Sequence, residues 1–516
     1  MKCFIPAWYS DENWWQSHAK PIFFKKSKTE FDDLISLMGM HLKNEQPFVL
    51  VLLNYSPDLR TFLHRHDLFD AHYWSLFDEI QGFKHQTPQS VDYRKLNWPE
   101  ETEFIYMPFY IRAITAEAQY SNIYFSQEGY LIWIETFEND VKRRRYIFDD
   151  RGFLSSVMIY DDKGQVDHQL YMTFDGDWVM KEDGATGKVE IHHKYQPLFN
   201  QITYAHMPDI IHEWFQRYID RADTPIEAAI VASDIRHNHL VAAHIPCEQL
   251  CFSIFQGRKS AEPENEFASI KKGRYWLVDT INNEIRLSHY QKQFQSDNQI
   301  MRITPFDVQV HANISSQLYE MKIGVWIDGI DPLLFERTMA QLKVEMQQHP
   351  QVRVELLSKT HDVIPSWINE TMQHINRELS GNNSTPEMIR DIVGDEAIEY
   401  VVLKKVPFEN QLVEVIATMR LIIDLSDEPD LFLQICSIGA GLPQINLNPT
   451  DYVQHGVNGY LLHHIDDLAI ATDYFLNHLK NWNRAFAYSM KLAKHYASHQ
   501  IVKQLAHWIV GDENGA

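Results

Sequence analysis

Residues 421–462 read LIIDLSDEPDLFLQICSIGAGLPQINLNPTDYVQHGVNGYLL, and this stretch carries the strongest fold signal in the chain. It begins with an apolar run, Leu421–Leu425, that predicts a buried strand, and an apolar helical segment follows. Two turns come next, Gly441-Leu442-Pro443 and Val457-Asn458-Gly459-Tyr460. Glycines in such turns let backbone N–H groups and a helix start approach a diphosphate. The stretch therefore predicts part of an α/β domain, with a strand, a helix and two glycine turns.

Alternating strand and helix patterns extend this interpretation toward the N-terminus. KCFIPAWY (Lys2–Tyr9) and FVLVLL (Phe48–Leu53) are apolar runs typical of strands in a buried parallel sheet. Phe31–Leu42 and Tyr73–Ile80 have amphipathic spacing and are predicted as helices. A further block begins with the strand KIGVWI at Lys322 and a helix with Pro332 in its first turn, where a missing N–H is harmless. These patterns predict two Rossmann-type domains.

A region of short β-rich runs separates the parts of the first domain. Glycine turns divide these runs, as expected for antiparallel hairpins; they lie at Glu128–Gly129, Asp150–Arg151–Gly152, Asp162–Lys163–Gly164 and Asp175–Gly176. The patterns predict the fold class α/β, with a pair of Rossmann-type domains and an inserted antiparallel β-sheet domain. The predicted limits are residues 1–109 and 203–305 for the first domain, 110–202 for the insertion, 306–490 for the second domain and 491–516 for a C-terminal helical segment.

Composition excludes several function classes. The chain has 516 residues and a formal charge of −23, so its average surface repels nucleic acid. No apolar run of about 18 residues predicts a membrane span, and the first 15 residues do not have the pattern of a signal peptide, so a cytoplasmic location is expected. The 26 histidines form no H-E-x-x-H motif, and Cys247 and Cys251 are the only close cysteine pair. Neither a metal nor a cofactor is predicted.

The stretch at residues 421–462 resembles the nucleotide-sugar half of retaining glycosyltransferases of the GT-B type. The resemblance implies that the α/β fold is a GT-B-like pair of Rossmann-type domains with an inserted antiparallel β-sheet domain, and that the two turns keep the frame of a nucleotide site. That resemblance implies two glutamates separated by seven residues, but counting from Glu428 leads to Cys436, and the helix-start position holds Gln434. The residues that remain as candidates for a degenerate sugar site are Glu428, Gln434, Gly439 and Gly441. A glutamine can still hydrogen-bond a sugar hydroxyl, but it carries no charge. No catalytic residue is predicted.

The basic residues that the family places after the first donor-domain strand are also absent. Here that strand runs into Asp328-Gly329-Ile330-Asp331. Carboxylates beside a diphosphate would repel it by about 1 to 4 kcal/mol per charge pair. The alternative is that Lys322 or Arg337 supplies the positive charge from elsewhere. We therefore expect a degenerate donor site.

Over nearly its whole length the chain resembles the first of the three accessory Sec proteins of Gram-positive bacteria. The segments that carry this resemblance are FIPAWYS (residues 4–10), LLNYSPDLRTFLHR (52–65) and DLFLQICSIGAGLPQIN (430–446). The resemblance implies a non-enzymatic role in exporting a glycosylated serine-rich-repeat adhesin, with the other two accessory proteins and the motor ATPase as partners. Recognition of the adhesin's glycans is one interpretation, and a scaffold without a ligand is another. An active GT-B glycosyltransferase that modifies the adhesin is the alternative function.

A basic segment near the N-terminus, KPIFFKKSK, is a candidate for reversible contact with anionic lipid. The contact residues would be Lys20, Phe23, Phe24, Lys25, Lys26 and Lys28. Each surface lysine is worth roughly 1 kcal/mol near an anionic membrane, so four lysines supply about 4 kcal/mol. The alternatives are an ordinary solvated loop and a rival basic run, Lys142–Arg145, whose charges should alternate between the faces of a hairpin. The prediction is a peripheral position on the inner face of the cell membrane.

Overall fold

The computed structural model describes residues 1–9, 13–17, 21, 31–84, 86–222, 224–258, 263–360, 363–381 and 399–511. The strands are β1 (Lys2–Ile5), β2 (Val49–Leu52), β3 (His72–Ser75), β4 (Glu103–Tyr106), β5 (Ile111–Ala116), β6 (Gln119–Phe125), β7 (Leu131–Glu138), β8 (Val141–Phe148), β9 (Leu154–Tyr160), β10 (Val166–Met172), β11 (Trp178–Asp183), β12 (Val189–Ile191), β13 (Thr203–Tyr204), β14 (Ala228–Ala232), β15 (Leu250–Ile254), β16 (Tyr275–Val278), β17 (Gln299–Arg302), β18 (Met321–Trp326), β19 (Val352–Ser358), β20 (Val401–Lys405), β21 (Met419–Asp424), β22 (Gln444–Asn446) and β23 (Gly459–Leu461).

The helices alternate with the strands of the two parallel sheets. They are α1 (Asp33–Lys43), α2 (Leu59–Arg65), α3 (Leu76–Gln81), α4 (Met207–Arg221), α5 (Asn238–His244), α6 (Pro263–Ile270), α7 (Ile281–Phe294), α8 (Pro332–Gln348), α9 (Ser366–Gly381), α10 (Glu409–Ile416), α11 (Leu431–Gly439), α12 (Leu468–Leu476), α13 (Leu479–His495) and α14 (Ser498–Val510). Among the described residues, no helix is both long enough and apolar enough to cross a bilayer.

The first Rossmann-type sheet has seven parallel strands in the order β17-β16-β15-β14-β1-β2-β3. Its central strands are buried on both faces, as the runs at Lys2–Tyr9 and Phe48–Leu53 predicted. The helix predicted at Tyr73–Ile80 is partly wrong. His72–Ser75 forms β3 beside β2, and only from Leu76 does the chain turn helical, because pairing with the exposed edge of β2 and burial of Trp74 override the helical spacing.

The second Rossmann-type sheet has six parallel strands in the order β20-β19-β18-β21-β22-β23. The stretch at residues 421–462 supplies β22, β23, α11 and most of β21, so it forms one half of this sheet. Helices cover both faces and complete two apolar cores. The pair of parallel α/β sheets predicted from the sequence is therefore confirmed.

The inserted sheet is a meander of ten antiparallel strands, in which β4 to β13 pair in chain order. It begins at Glu103 and ends at Tyr204, so it extends a few residues beyond both ends of the range 110–202. Tyr171, Val179, Met180 and Val189 on its inner half pack into the core of the first α/β domain. The outer half has a small core of its own around Ile123 and Ile134.

The C-terminal helix α14 returns to the first domain. Ile501, Leu505 and Ile509 pack in one cluster with Leu34 and Met38 of α1. The Tyr275 hydroxyl donates a hydrogen bond to the Ile509 carbonyl at 3.2 Å. Because α14 covers the first sheet and α13 belongs to the second core, the end of the chain ties the two domains together.

Candidate functional site

A cleft of about 310 Å³ lies between the carboxyl ends of the two parallel sheets, where open α/β folds bind ligands. Residues that follow strand β15, that precede helix α1 and that open helix α11 form its walls. The lining residues are Phe31, Asp32, Phe255, Gln256, Gly257, Arg258, Phe306, Lys359, Asp430, Leu431 and Phe432. No cluster of three or more His, Cys, Asp or Glu side chains that could hold a metal ion occurs among the residues that the structure describes.

Arg258 is the cation of the first wall, which is the side of the cleft that the first domain supplies. Two carboxylates already bind it. Its guanidinium donates to both carboxylate oxygens of Asp33 and lies 3.4 Å from Asp32. Ser253 donates to Asp33 at 2.6 Å and orients that carboxylate. Burial and the neighbouring charge of Asp33 raise the pKa of Asp32 to about 6, although Arg258 opposes the shift. The positive charge of this wall is therefore matched within the wall.

Lys359 is the cation of the second wall, which is the side of the cleft that the second domain supplies, and it pairs with Asp430. Its ammonium group also lies 4.7 Å from the centre of the Phe31 ring and 5.8 Å from that of Trp326. Asp430 is at the same time the N-cap of α11, where it accepts a hydrogen bond from the Leu433 amide at 3.0 Å. The second cation is thus also neutralised by its own wall.

Two further buried carboxylates shape the loops of the cleft. Asp279 accepts hydrogen bonds from the backbone amide of Gln256 at 2.6 Å and from the side-chain amide of Asn283 at 2.8 Å. Asp424 accepts from the Asp430 amide at 2.8 Å and from the Ser426 hydroxyl at 2.6 Å. Burial raises the pKa of each of these two carboxyl groups to about 7. Each domain therefore uses a buried acid at a strand end to position one wall.

Aromatic rings cross the cleft and join the domains. Phe432 makes edge contacts with Phe31 and Phe306, with ring centres 5.0 and 5.2 Å apart. Phe306 also contacts Phe255 at 5.9 Å. On the rim the side-chain amide of Gln256 donates to a carboxylate oxygen of Glu428 at 3.3 Å. The cleft consequently combines apolar ring surfaces with a few charged and amide groups.

The four candidates for a degenerate sugar site do not come together. Glu428 lies at the rim of the cleft, whereas Gln434 is fully buried and donates to the Thr450 hydroxyl at 3.1 Å. Gly439 and Gly441 lie at the other end of α11. A Cβ on Gly439 would be 2.1 Å from the Gln309 carbonyl oxygen, so this glycine permits close packing of the interdomain segment. Only Glu428 therefore borders the cleft.

Both alternative sources of positive charge for a diphosphate are engaged elsewhere. Lys322 pairs with Glu355 at 2.9 Å, and Arg337 lies 3.6 Å from Asp466. At the start of α8 the Asp331 carboxylate accepts from the amides of Leu333 and Leu334 at 2.9 and 3.0 Å. Those amides are the donors that a helix N-terminus offers to a phosphate, and here a side chain of the chain itself occupies them.

Sequence reasoning missed Arg258, Lys359 and the rings that surround them. A local signal did exist, because Arg258 and Lys359 each follow a buried strand at the edge where ligands bind. Their carboxylate partners, Asp33 and Asp430, are distant in sequence and were not predictable from it.

The six candidates for lipid contact, Lys20, Phe23, Phe24, Lys25, Lys26 and Lys28, lie outside the described residues. The rival basic run, Lys142–Arg145, lies within the described residues, and most of its cationic side chains form ion pairs. Lys142 and Arg145 both contact Glu135, at 2.7 and 2.6 Å. Arg143 lies 2.5 Å from Asp162.

Known proteins resemble this chain over its whole length. The family model described as accessory Sec system protein Asp 1 matches residues 1–512. The protein of that name from Staphylococcus aureus (strain NCTC 8325 / PS 47) is 44% identical over 515 residues, and the match covers 100% of both chains. A chain from the crystal structure of accessory secretory protein 1, 2 and 3 of Streptococcus pneumoniae has a TM-score of 0.80 at 28% identity, with 99% of each chain covered.

A fold match extends to glycosyltransferases. The pneumococcal O-GlcNAc transferase GtfA, solved in complex with UDP and GlcNAc, has a TM-score of 0.69 at 13% identity, covering 99% of this chain and 98% of the other. At that identity the similarity concerns the fold alone. The predicted GT-B-like architecture is therefore confirmed.

Proposed function

The chain belongs to the accessory Sec system protein Asp 1 family, and on that premise we propose that it is a non-enzymatic component of accessory Sec export. Its assembly partners are the other two accessory secretory proteins, and the pneumococcal crystal structure of accessory secretory protein 1, 2 and 3 supports this choice. The motor ATPase and a glycosylated serine-rich-repeat adhesin, which would be the cargo, complete the proposed set. The protein acts in the cytoplasm.

The observation that carries the non-enzymatic assignment is the charge balance of the cleft. Arg258 and Lys359 are each held by carboxylates of their own wall, so neither is available to neutralise a diphosphate. A nucleotide sugar would have to displace Asp33 or Asp430, and each added carboxylate contact would repel it. Cys436 and Gln434 also stand where an active transferase would have its carboxylate and helix-start residue. These features disfavour the alternative of an active glycosyltransferase.

We propose that the cleft binds an uncharged sugar of the adhesin. Phe432, whose half-buried ring packs against the buried rings of Phe31 and Phe306, offers apolar surface. Gln256 and Asp32 line the cleft beside it and supply hydrogen-bonding groups for hydroxyls. Its volume is near the lower end of the range of about 300 to 1,000 Å³ that is typical of small-molecule sites. One or two sugar units would therefore fill it.

Deleting the gene for this protein is expected to stop export of the adhesin while leaving its glycosylation intact. Mass spectrometry of the adhesin that remains in the cells measures glycosylation, and secretion is scored separately. Complementation with the wild-type gene is the control. An unglycosylated adhesin in the deletion strain would instead support an active transferase.

Phe432→Ala is expected to weaken binding of a glycosylated serine-rich-repeat segment at least about tenfold, since a central aromatic contact is commonly worth more than 1 kcal/mol. Calorimetry with the purified protein measures the affinity, and the unglycosylated segment is the ligand control. Phe294→Ala, which removes an exposed ring on α7, is the matched protein control. Equal affinity of both variants would place the sugar outside the cleft, and binding of UDP-GlcNAc would contradict the charge argument.

Contact with anionic lipid remains a proposal for the N-terminal lysines. In flotation assays with vesicles that contain phosphatidylglycerol, the wild type is expected to float at low salt, and Lys25→Glu with Lys26→Glu to remain at the bottom. Arg143→Glu with Arg144→Glu makes the same change of charge in the rival basic run and should still float. If only this second variant fails to float, the lipid contact lies on the inserted sheet.

A further inference from the structure

The outer edge of the inserted sheet is an unpaired strand. Within the described residues, β4 pairs with β5 and no strand lies on its other side. The Met107 amide donates to the Tyr110 carbonyl at 3.0 Å, toward β5. Because hydrogen-bonding direction alternates along an antiparallel strand, the backbone groups of Phe104 and Tyr106 point away from the sheet. They form a template for one more strand.

An apolar patch accompanies this edge. Tyr106 is 62% exposed and Phe109 is 56% exposed, and Ile105 and Met107 are also exposed. The turn between β6 and β7, at the same end of the sheet, adds the exposed ring of Tyr130. Exposed apolar side chains that cluster in this way mark interaction sites on soluble proteins.

The opposite edge of the same sheet is protected. Its last strand, β13, has only two residues, and α4 packs against it. Natural proteins shield sheet edges by short strands and by covering elements. β4 has four residues, and Tyr93, Arg94 and Trp98 contact the side chains of Phe104 and Tyr106. No described strand, however, pairs with its outer edge. The difference between the two edges indicates that β4 has a use that β13 lacks.

Charge distinguishes between possible occupants. Glu100, Glu101 and Glu103 are exposed beside β4, and none of them forms an ion pair with a described residue. The two cations nearby are engaged elsewhere, because Arg94 donates to the Tyr106 hydroxyl and Lys95 lies 4.0 Å from Asp92. A second copy of the chain would bring the same carboxylates and a net charge of −23 to the contact. A segment with lysine or arginine would instead be attracted.

We propose that β4 docks a β-strand of one of the two other accessory secretory proteins, with apolar side chains against Ile105 and Met107 and basic side chains against Glu100–Glu103. Backbone hydrogen bonds to Phe104 and Tyr106 extend the sheet by one strand, which is a common mode of peptide recognition. This inference rests on the assembly proposed above.

Ile105→Lys tests the side-chain contact. With the two other accessory secretory proteins purified from the same organism, this variant is expected to bind at least about tenfold more weakly than the wild type. Ile202→Lys is the matched control, because Ile202 is also an exposed isoleucine and lies beside β13; its effect should stay within about twofold. Melting temperatures of both variants verify folding. Equal binding by Ile105→Lys and Ile202→Lys would overturn the proposal.

Hydrogen exchange tests the backbone contact. The amides of Phe104 and Tyr106 are expected to exchange rapidly in the free protein and slowly in the complex, whereas the Ile105 amide, which faces β5, is protected in both. Rapid exchange at all three positions of the complex would rule out strand addition. A wild-type dimer that Ile105→Lys dissociates would identify the occupant as a second copy and overturn the choice of partner. No binding by the wild type would refute the assembly itself.

Discussion

Replacing Arg151 with alanine is expected to lower the free energy of unfolding by about 3 to 5 kcal/mol, the usual cost of removing one partner from a buried ion pair. Arg151 is 5% exposed and lies in the turn between β8 and β9. It donates to both oxygens of Asp78 on α3 at 2.8 Å and to Asp149 at 2.7 Å. The substitution leaves two buried carboxylates without their cation at the junction of the inserted sheet and the first domain.

The same substitution is expected to cost less at acidic pH. Burial raises the pKa of Asp149 even with Arg151 present, and loss of the guanidinium raises it further. A carboxyl group with a raised pKa in the folded state favours folding at low pH and loses that contribution as pH rises. Urea unfolding at pH 5 and pH 7.5, followed by tryptophan fluorescence, measures the difference.

Arg143→Ala is the matched control for this network. Arg143 pairs with Asp162 on the surface of the same sheet, where an ion pair contributes about 0 to 1 kcal/mol. If Arg151→Ala and Arg143→Ala unfold at the same urea concentration, the buried network does not hold the inserted sheet on the first domain.

Local patterns predicted most strands because their causes are local. Phe48–Leu53 and Leu421–Leu425 are apolar on nearly every residue, and each provides a strand buried on both faces of a parallel sheet. The segment from Tyr73 was less clear, since its apolar spacing suits a helix but its first residues pair with β2. Where long-range pairing competes with local spacing, the sequence pattern alone does not identify the outcome.

The walls of the cleft show the opposite situation. Arg258 and Asp33 meet although 225 positions separate them in the chain, and Lys359 and Asp430 are 71 apart. No periodicity or spacing rule connects such residues, because the contact exists only after both sheets have formed. The candidate Glu428 does border the cleft at the carboxyl edge of the second sheet, but the ion pairs that line the cleft could not be predicted.

The second large effect is expected at Gly441, whose substitution by valine should destabilise the protein for two separable reasons. Gly441 has a φ of +74° and ends α11: its amide donates to the Ile438 carbonyl and the Leu442 amide to the Ser437 carbonyl, the Schellman arrangement. A non-glycine residue in this conformation costs about 1 to 3 kcal/mol. In addition, a Cβ would lie 2.2 Å from the Phe486 ring, and overpacking of this kind costs about 1 to 3 kcal/mol more.

Gly456→Val separates the two causes, because Gly456 has a φ of +70° and no atom within 4 Å of a Cβ position. We expect Gly456→Val to lower the free energy of unfolding, measured in urea, by the cost of backbone strain alone. Gly441→Val should lower it by the cost of strain plus that of the clash. Combining Gly441→Val with Phe486→Ala should remove the clash and leave the strain, apart from the loss of the exposed ring itself. Equal destabilisation by the two valines would mean that Phe486 moves away freely. A larger loss of unfolding free energy at Gly441 would establish that this turn serves the packing of α11 against α13. In a transferase, the glycine of the corresponding turn would instead serve a diphosphate.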